Sequence, residues 1–504
     1  MTKHAASSVH KEDVLQEHLI DYLVKTQEYE RRVGSEKSRK YAGEIHFDKT
    51  LAMDRELVVR FLKSTQADAW EKLEQHYTGS AEDVLFKQLD KALKDRGLLD
   101  VLRQGIKIVP GIPFTLCYFR PASALEPKRV EEYDANILSV MDEVAYSTKH
   151  GNRIDVVLFL NGLPIATIEA KNLLTGTTFK HAERQYRSDR SPAGEPLLTF
   201  KRGALVHFAV DEDNVSMTTH LQNGKTRFLP FNRGREGGAG NPDVENEHRI
   251  AYLYRDGDWG SAIFSRGVLI DVIGQFMTLE VTGKNEVMIF PRFQQLDAVR
   301  KIMAHARANG AGQNYLVQHS AGSGKSNTIG WLAHHAINLH DTDDSQVFHT
   351  AIIVTDRIVL DRQLQSTVSQ FEQTQGIVKK IDGTSRQLKD AIAKGARIIV
   401  TTIQKFSTDH LKELSGQGAR NFAVIIDEAH SSQSGKSAQA MTDALTREAT
   451  SSDDIEDLIL EYQKARGPQS NISFFAFTAT PRNVTLERFG VKGADGLPHP
   501  FHLY

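Results

Sequence analysis

The sequence predicts an α/β protein of two domains, an amino-terminal α/β domain and a carboxy-terminal parallel sheet covered on both faces. Three observations carry this. From residue 290 onward, short apolar runs alternate with helical stretches, the pattern of parallel strands joined by crossover helices. The first of those runs leads into Gly322-Ser323-Gly324-Lys325-Ser326, a strand–loop–helix with glycines in the loop. Upstream, 153–171 reads as two strands around an Asn161-Gly162 turn, with no helix between them.

Composition narrows the class. The chain has 504 residues, 40% hydrophobic and 25% charged, which suits two to four globular domains. The formal net charge is -2, so a nucleic-acid site must be a local groove. The one cysteine, Cys117, excludes an internal disulfide framework and thiolate zinc sites, and a cytoplasmic location is expected. No apolar run approaches the roughly 20 residues of a membrane span, and Met1-Thr2-Lys3-His4 opens no signal peptide.

In chain order, residues 13–25 set Leu15, Leu19 and Leu23 at helical spacing beside Glu17. Residues 54–75 and 81–104 read as two further helices, and a polar segment, 26–50, precedes them. The strands of the hairpin are 153–160 and 165–171. Side chains alternate faces, so Glu169 and Lys171 share one. A two-residue loop places Asp155 opposite Ile168; a three-residue loop, Asn161-Gly162-Leu163, places it opposite Glu169 and brings Asp155, Glu169 and Lys171 to one face. The longer loop is expected. The two carboxylates suit Mg²⁺, a hard cation that prefers oxygen, and Lys171 suits a developing negative charge. The same residue types also occur on an ordinary solvated hairpin face. Lys180, Arg184 and Arg187 on a helix over 179–190 either face a phosphate backbone or are a solvated helix face. Strands are expected at 204–210 and 226–231, a glycine-rich loop at 234–241 and a helix at 262–280. The domains are set at 1–265 and 285–504, with 266–284 as linker.

Strands of the second domain are expected at 314–318, 349–355, 377–381, 397–401, 422–426 and 473–477. Gly322 and Gly324 let the backbone lie against a polyphosphate, with the amides of Gly322, Ser323 and Ser326 and the helix N-terminus facing it. Lys325 supplies a point charge and Ser326 a hydroxyl for Mg²⁺. The strict phosphate-loop pattern has glycine where His319 stands. An apolar strand then runs into Asp427-Glu428-Ala429-His430: Asp427 reaches the Mg²⁺ shared with Ser326, and Glu428 orients the attacking water. Gln295 has the donor–acceptor pair that adenine's edge requires.

These residues resemble superfamily 2 helicases and translocases. Gln295 resembles the adenine-reading glutamine, 322–326 motif I, 427–430 motif II and Thr478-Ala479-Thr480 motif III. Val354-Thr355-Asp356-Arg357 and Thr401-Thr402-Ile403-Gln404-Lys405-Phe406 resemble motifs Ia and Ib. With Asp155, Glu169 and Lys171 upstream, the chain resembles the restriction subunit of type I restriction–modification enzymes, through Arg153-Ile154-Asp155, Asn161-Gly162-Leu163-Pro164, Glu169-Ala170-Lys171-Asn172 and Gly240-Asn241-Pro242. The resemblance implies an endonuclease-like domain followed by a RecA-like motor domain, with ATP and Mg²⁺ as cofactors. It implies that Asp155, Glu169 and Lys171 form the cleavage site and that Gln185 belongs to the family's glutamine motif. Tyr186 stands next to Gln185, and Asp189 occupies the position where the family usually has tyrosine. The implied partners are double-stranded DNA and the methyltransferase and specificity subunits; no membrane is implied. A second motor lobe and an arginine motif after Thr480 are not found, so the chain is expected to be the amino-terminal half of a longer protein that binds ATP weakly and hydrolyses it poorly by itself. Competing readings are a helicase–nuclease fusion for repair or defence without a methyltransferase, and an ATP-gated DNA-binding scaffold.

Overall fold

The computed structural model describes residues 3–121, 125–235, 238–283, 285–320, 322–355, 368, 377–381, 385–402, 406, 410, 414–417, 420–427, 470–493 and 495–504. The chain divides into two compact units, Met1–Arg292 and Phe293–Tyr504. Both are α/β.

The first unit is built on a seven-stranded mixed sheet: β1 (Glu30–Val33), β2 (Leu138–Ala145), β3 (Arg153–Leu160), β4 (Leu163–Ala170), β5 (Val206–Val210), β6 (Val215–Thr218) and β7 (Leu229–Pro230), in that spatial order. The β1–β2 and β4–β5 pairs are parallel and the other four antiparallel. The polar segment 26–50 thus contains an edge strand that its composition does not announce. Helix α1 (Lys3–Thr26) buries the expected stripe of Leu15, Leu19 and Leu23, together with Ile20.

Two expected helices are each split, and tertiary contacts explain both breaks. The stretch 54–75 forms α2 (Arg55–Thr65) and α3 (Ala67–His76). Gln66 leaves the helix because its side chain exchanges two hydrogen bonds with the Thr115 backbone, at 2.7 and 3.0 Å. The stretch 81–104 forms α4 (Ala81–Asp95) and α5 (Leu98–Gln104), hinged at Gly97, whose φ of 89° lies in the left-handed region. The next amide, Leu98 N, donates to Lys201 O at 2.7 Å.

The linker expected at 266–284 is packed structure of the first unit. A helix Arg266–Asp271 and a π-helical turn Val272–Phe276 bury Val268, Leu269, Ile270, Ile273 and Phe276. Arg103 donates to the carbonyls of Ile273 and Met277 at 2.6 to 2.9 Å. The helix expected over 262–280 therefore ends early, and Thr278–Thr282 pairs with Asn285–Ile289 as a hairpin. An apolar helical pattern looks the same on a bridge between domains and on a helix inside one; burial decides.

The hairpin register has a different cause from the one expected. Leu160 pairs with Leu163, so the loop has two residues, Asn161 (φ 52°) and Gly162 (φ 82°). This is the left-handed pair that a type I′ turn needs. The register then slips by one: Phe159 pairs with Pro164, but Leu158 pairs with Ala166. Ile165 is the extra residue of a bulge. Pro164 has no amide to give the ladder, and the Ile165 carbonyl accepts instead from Leu205 N at 3.0 Å. Continuing past Val156↔Ile168 sets Asp155 opposite Glu169, as the three-residue loop would have done.

The second unit is a seven-stranded parallel sheet: β8 (Asn314–Gln318), β9 (Thr350–Thr355), β10 (Val378–Lys380), β11 (Ile398–Thr402), β12 (Phe422–Asp427), β13 (Ile472–Thr478) and β14 (His502–Leu503). Its order is β10-β11-β9-β12-β13-β8-β14. The first six match the expected strands to within a residue or two; β14 has no apolar run and was not expected. Every residue of β9, β11, β12 and β13 is buried, as strands covered on both faces require.

The hairpin turn is clamped. Asp54, which caps α2 by accepting from Leu57 N, takes a backbone bond from its own amide to Gly162 O at 2.9 Å. A Cβ at Gly162 would lie 2.5 Å from Asp54 O. Gly162→Ala is expected to lower the unfolding free energy of the first unit by about 1–3 kcal/mol, from strain and displacement of the α2 cap. Chemical denaturation followed by far-UV circular dichroism measures this; a loss below a few tenths of a kcal/mol would contradict the close approach.

Candidate functional site

The first site lies where β3 and β4 carry charge out of an apolar sheet. Asp155 Oδ2 accepts from Ala170 N at 2.8 Å and lies 3.9 Å from Lys171 Nζ. The Asp155 and Lys171 side chains are mostly buried. Glu169 is fully buried, and Arg190 Nε donates to its Oε1 at 2.7 Å. Its other oxygen, Oε2, is buried with no hydrogen-bond partner. Burial, then the nearby Asp155 charge, pushes the Glu169 carboxyl well above its ordinary range, against the pull of Arg190 and Lys171. The structure thus brings Asp155, Glu169 and Lys171 together. An unpartnered buried oxygen beside a second carboxylate fits a hard divalent cation.

On the same face, beside Glu169, lies a polar chain that the sequence did not reveal. The crossover from β4 to β5 runs through α6 (Phe179–Ser188). Tyr186 of α6 is fully buried, and its hydroxyl lies 2.8 Å from Thr167 Oγ1, which lies 2.7 Å from His207 Nδ1. Burial pushes the His207 imidazole down to about 3, so it stays neutral. Gln185 sits half-buried on the same helix, one residue before Tyr186. Tyr186 therefore points into the core, two strand residues from Glu169. The basic helix is less available than its spacing implied: Lys180 and Arg187 bind the buried Glu183 at 2.9 and 3.2 Å, although Lys180, like Arg184, stays exposed.

Asp155 is also held from α1. Gln16 Nε2 donates to the Asp155 carbonyl at 2.7 Å. The next residue, Glu17, receives both terminal nitrogens of Arg31 at 2.7 and 2.9 Å, which holds its carboxyl below the usual range.

The second site is the loop after β8. Gly322 and Gly324 have φ of 78° and 83°, so both need the freedom of glycine. Gly324 caps α8 (Lys325–Ala336), and Lys325 and Ser326 open that helix, where backbone amides attract anions. Gln295, on α7 (Phe293–Asn309), is buried and donates from Nε2 to Ser323 O at 3.2 Å and Gly324 O at 3.0 Å. In this conformation the glutamine expected to read adenine is a brace of the loop. Asp427 ends β12, next but one to β8 in the sheet. Glu428 and His430 lie outside the described residues, as do Asp356, Arg357 and 403–405.

His319, in place of the usual glycine, is fully buried, and burial with the nearby His502 and Lys325 pushes it down to about 3. Its Nε2 meets His502 Nδ1 at 2.9 Å, and His502 Nε2 meets Asp297 Oδ2 at 2.9 Å. The loop backbone is tied on both sides, His319 N to Thr478 O at 3.0 Å and Ser320 N to Tyr504 O at 3.2 Å.

Comparison with known proteins points to one family. Residues 10–226 match the model of the type I restriction enzyme R protein N terminus, and residues 294–451 match the SWI2/SNF2 ATPase model. Together the two matches support an R subunit of a type I restriction enzyme. Its relatives include a type I restriction enzyme endonuclease subunit of Staphylococcus aureus, 26% identical over 69% of this chain and 32% of that protein. The HindI endonuclease subunit of Haemophilus influenzae is 25% identical over 73% of this chain and 35% of that protein. The chain therefore spans about a third of the length of these relatives. Among the described residues no helix is long and apolar enough to cross a membrane.

Two outcomes are expected of the first site. Arg190→Ala leaves a buried carboxylate uncompensated and should cost about 3–5 kcal/mol of first-unit stability. In a Glu169→Gln background the same change should cost far less; additive losses in a denaturation cycle would show that the pair is not coupled. His207 takes a proton near 6.5 when unfolded and only near 3 when folded. Its contribution is thus present above pH 6.5 and is lost as pH falls from there toward 3. His207→Gln, which keeps a hydrogen-bonding side chain, should flatten the loss of urea midpoint between pH 6.5 and 4; an unchanged slope would refute the assignment.

Proposed function

We propose that this chain carries the nuclease and the first motor lobe of an R subunit that translocates double-stranded DNA with ATP and then cuts it. In this reading it works bound to methyltransferase and specificity subunits, which supply target recognition. The observation that carries the reading is the cluster of Asp155, Lys171 and the unpartnered Glu169 oxygen within the region that matches the R-protein N terminus.

Asp155 and Glu169 would hold Mg²⁺, which when bound polarises a phosphodiester and acidifies a water. The residues' own parts follow from their surroundings. Ala170 N holds Asp155 Oδ2 and so orients the carboxylate. Arg190 holds Glu169 Oε1 and leaves Oε2 without a hydrogen-bond partner. Lys171, beside Asp155, can donate to an oxygen that gains charge as the bond breaks. Gln185 is proposed to orient DNA or water at the rim. In the second unit Lys325 and the amides that open α8 would bind the ATP phosphates, Ser326 and Asp427 the Mg²⁺, and Glu428 the attacking water. Gln295 would exchange its loop carbonyls for the adenine edge when nucleotide enters.

In the assembled complex, Asp155→Ala and Lys171→Ala should each lower Mg²⁺-dependent cleavage of plasmid DNA by about 10²-fold or more while ATP binding persists. Lys325→Ala should do the reverse at the nucleotide: ATP binding is lost, and the circular dichroism and thermal transition of the first unit stay unchanged. Undiminished cleavage by both nuclease-site variants would overturn the reading.

A further inference from the structure

Away from the Asp155 face, three side chains that ligate transition metals converge in the first unit. His18 of α1 meets Glu247 and His248, and one donor atom from each lies within 4.8 Å of the other two. The His18 and His248 rings stand edge to face, 5.0 Å between centroids at 81°. Two imidazoles on one tetrahedral zinc, with Zn–N of about 2.0–2.1 Å, bring their ring centres to roughly that separation. The carboxylate is prepared as well. The Glu247 side chain is 3% exposed, with His18 Nε2 at 2.6 Å from Oε1. The Tyr254 hydroxyl and the His248 amide each donate to Oε1 at 3.1 Å, and Arg255 stands 3.6 Å from Oε2. Such outer partners fix the orientation of a ligating carboxylate. His18 remains 34% exposed, which gives an ion a way in.

We propose that His18, Glu247 and His248 form a structural zinc site that clamps α1 to the segment around residue 247. Two imidazole nitrogens and one carboxylate oxygen suit zinc better than Mg²⁺ or Ca²⁺, which take oxygen ligands. Water or the Tyr254 hydroxyl completes the fourth position. The clamp acts on the neighbouring site through two residues of helix: Gln16 of α1 holds the Asp155 carbonyl at 2.7 Å. Zinc at His18 thereby secures the helix that braces the Asp155 strand. This inference does not depend on the proposed cleavage activity.

The test uses the full chain, stripped with chelator, incubated with Zn²⁺ alone and desalted, with metal content measured per chain. It is run in an Asp155→Ala background, so that metal held at the Asp155 face is not counted. One zinc per chain is expected, with at least tenfold weaker affinity in His18→Ala and in His248→Ala. Zinc should also raise the thermal midpoint of the parent and not of His248→Ala. His248→Ala lies on a half-buried surface, and its circular dichroism in chelator checks that it folds. No retained zinc in the parent would mean that His18 and Glu247 are an ion pair only. Zinc retained at parental affinity in both histidine variants would place the metal elsewhere. Either result overturns the proposal.

Discussion

One extra residue in one β-hairpin decides which face of the first sheet carries charge. With a two-residue turn and no bulge, Asp155 would stand opposite Ile168, and the two carboxylates would lie on opposite faces of the sheet. The bulge at Ile165 restores the match, and its cause is local: Pro164 cannot donate to the ladder, and the β5 side takes the Ile165 carbonyl instead. The surrounding structure holds this register firmly. The turn is pinned by the α2 cap, and Asn161 bonds Ile137 N at 2.7 Å and Leu116 O at 2.9 Å. The site downstream inherits that rigidity.

The charges gathered by that register make the site costly until something enters it. Glu169 sits without solvent, shares its surroundings with Asp155 and has Arg190 bound to it and Lys171 nearby to offset it. Arg190 is itself buried, so the pair is held by mutual need. A buried carboxylate oxygen with no partner is uncommon in folded proteins and calls for an explanation, of which a bound ion is one.

The phosphate loop of the second unit shows how a departure from pattern is accommodated. His319 fills the place of a glycine, and its ring is received by His502 of β14, itself bound to Asp297. The residue that permits the substitution lies on β14, a two-residue strand that no periodicity marks, 183 positions away. The loop, α7 and β14 are thereby joined in one hydrogen-bonded chain.

How much of this was legible divides along a physical line. Six parallel strands, the glycine loop, the hairpin strands and the convergence of Asp155, Glu169 and Lys171 on one face were readable, because strand alternation, apolar runs and glycine conformation are properties of neighbouring residues. Arg190 as the counter-ion of Glu169, Tyr186 and His207 behind Thr167, and Gln295 bracing the loop were not, because each pairing is set by chain segments that meet only on folding. The breaks at Gln66 and Gly97 belong with these: their hydrogen-bond partners, Thr115 and Lys201, lie far along the chain. The sequence by itself determined the class of fold and the chemistry on offer at each motif. Tertiary structure alone decided the partners of the buried charges, since a buried polar group must be satisfied by whatever the fold brings within about 3 Å.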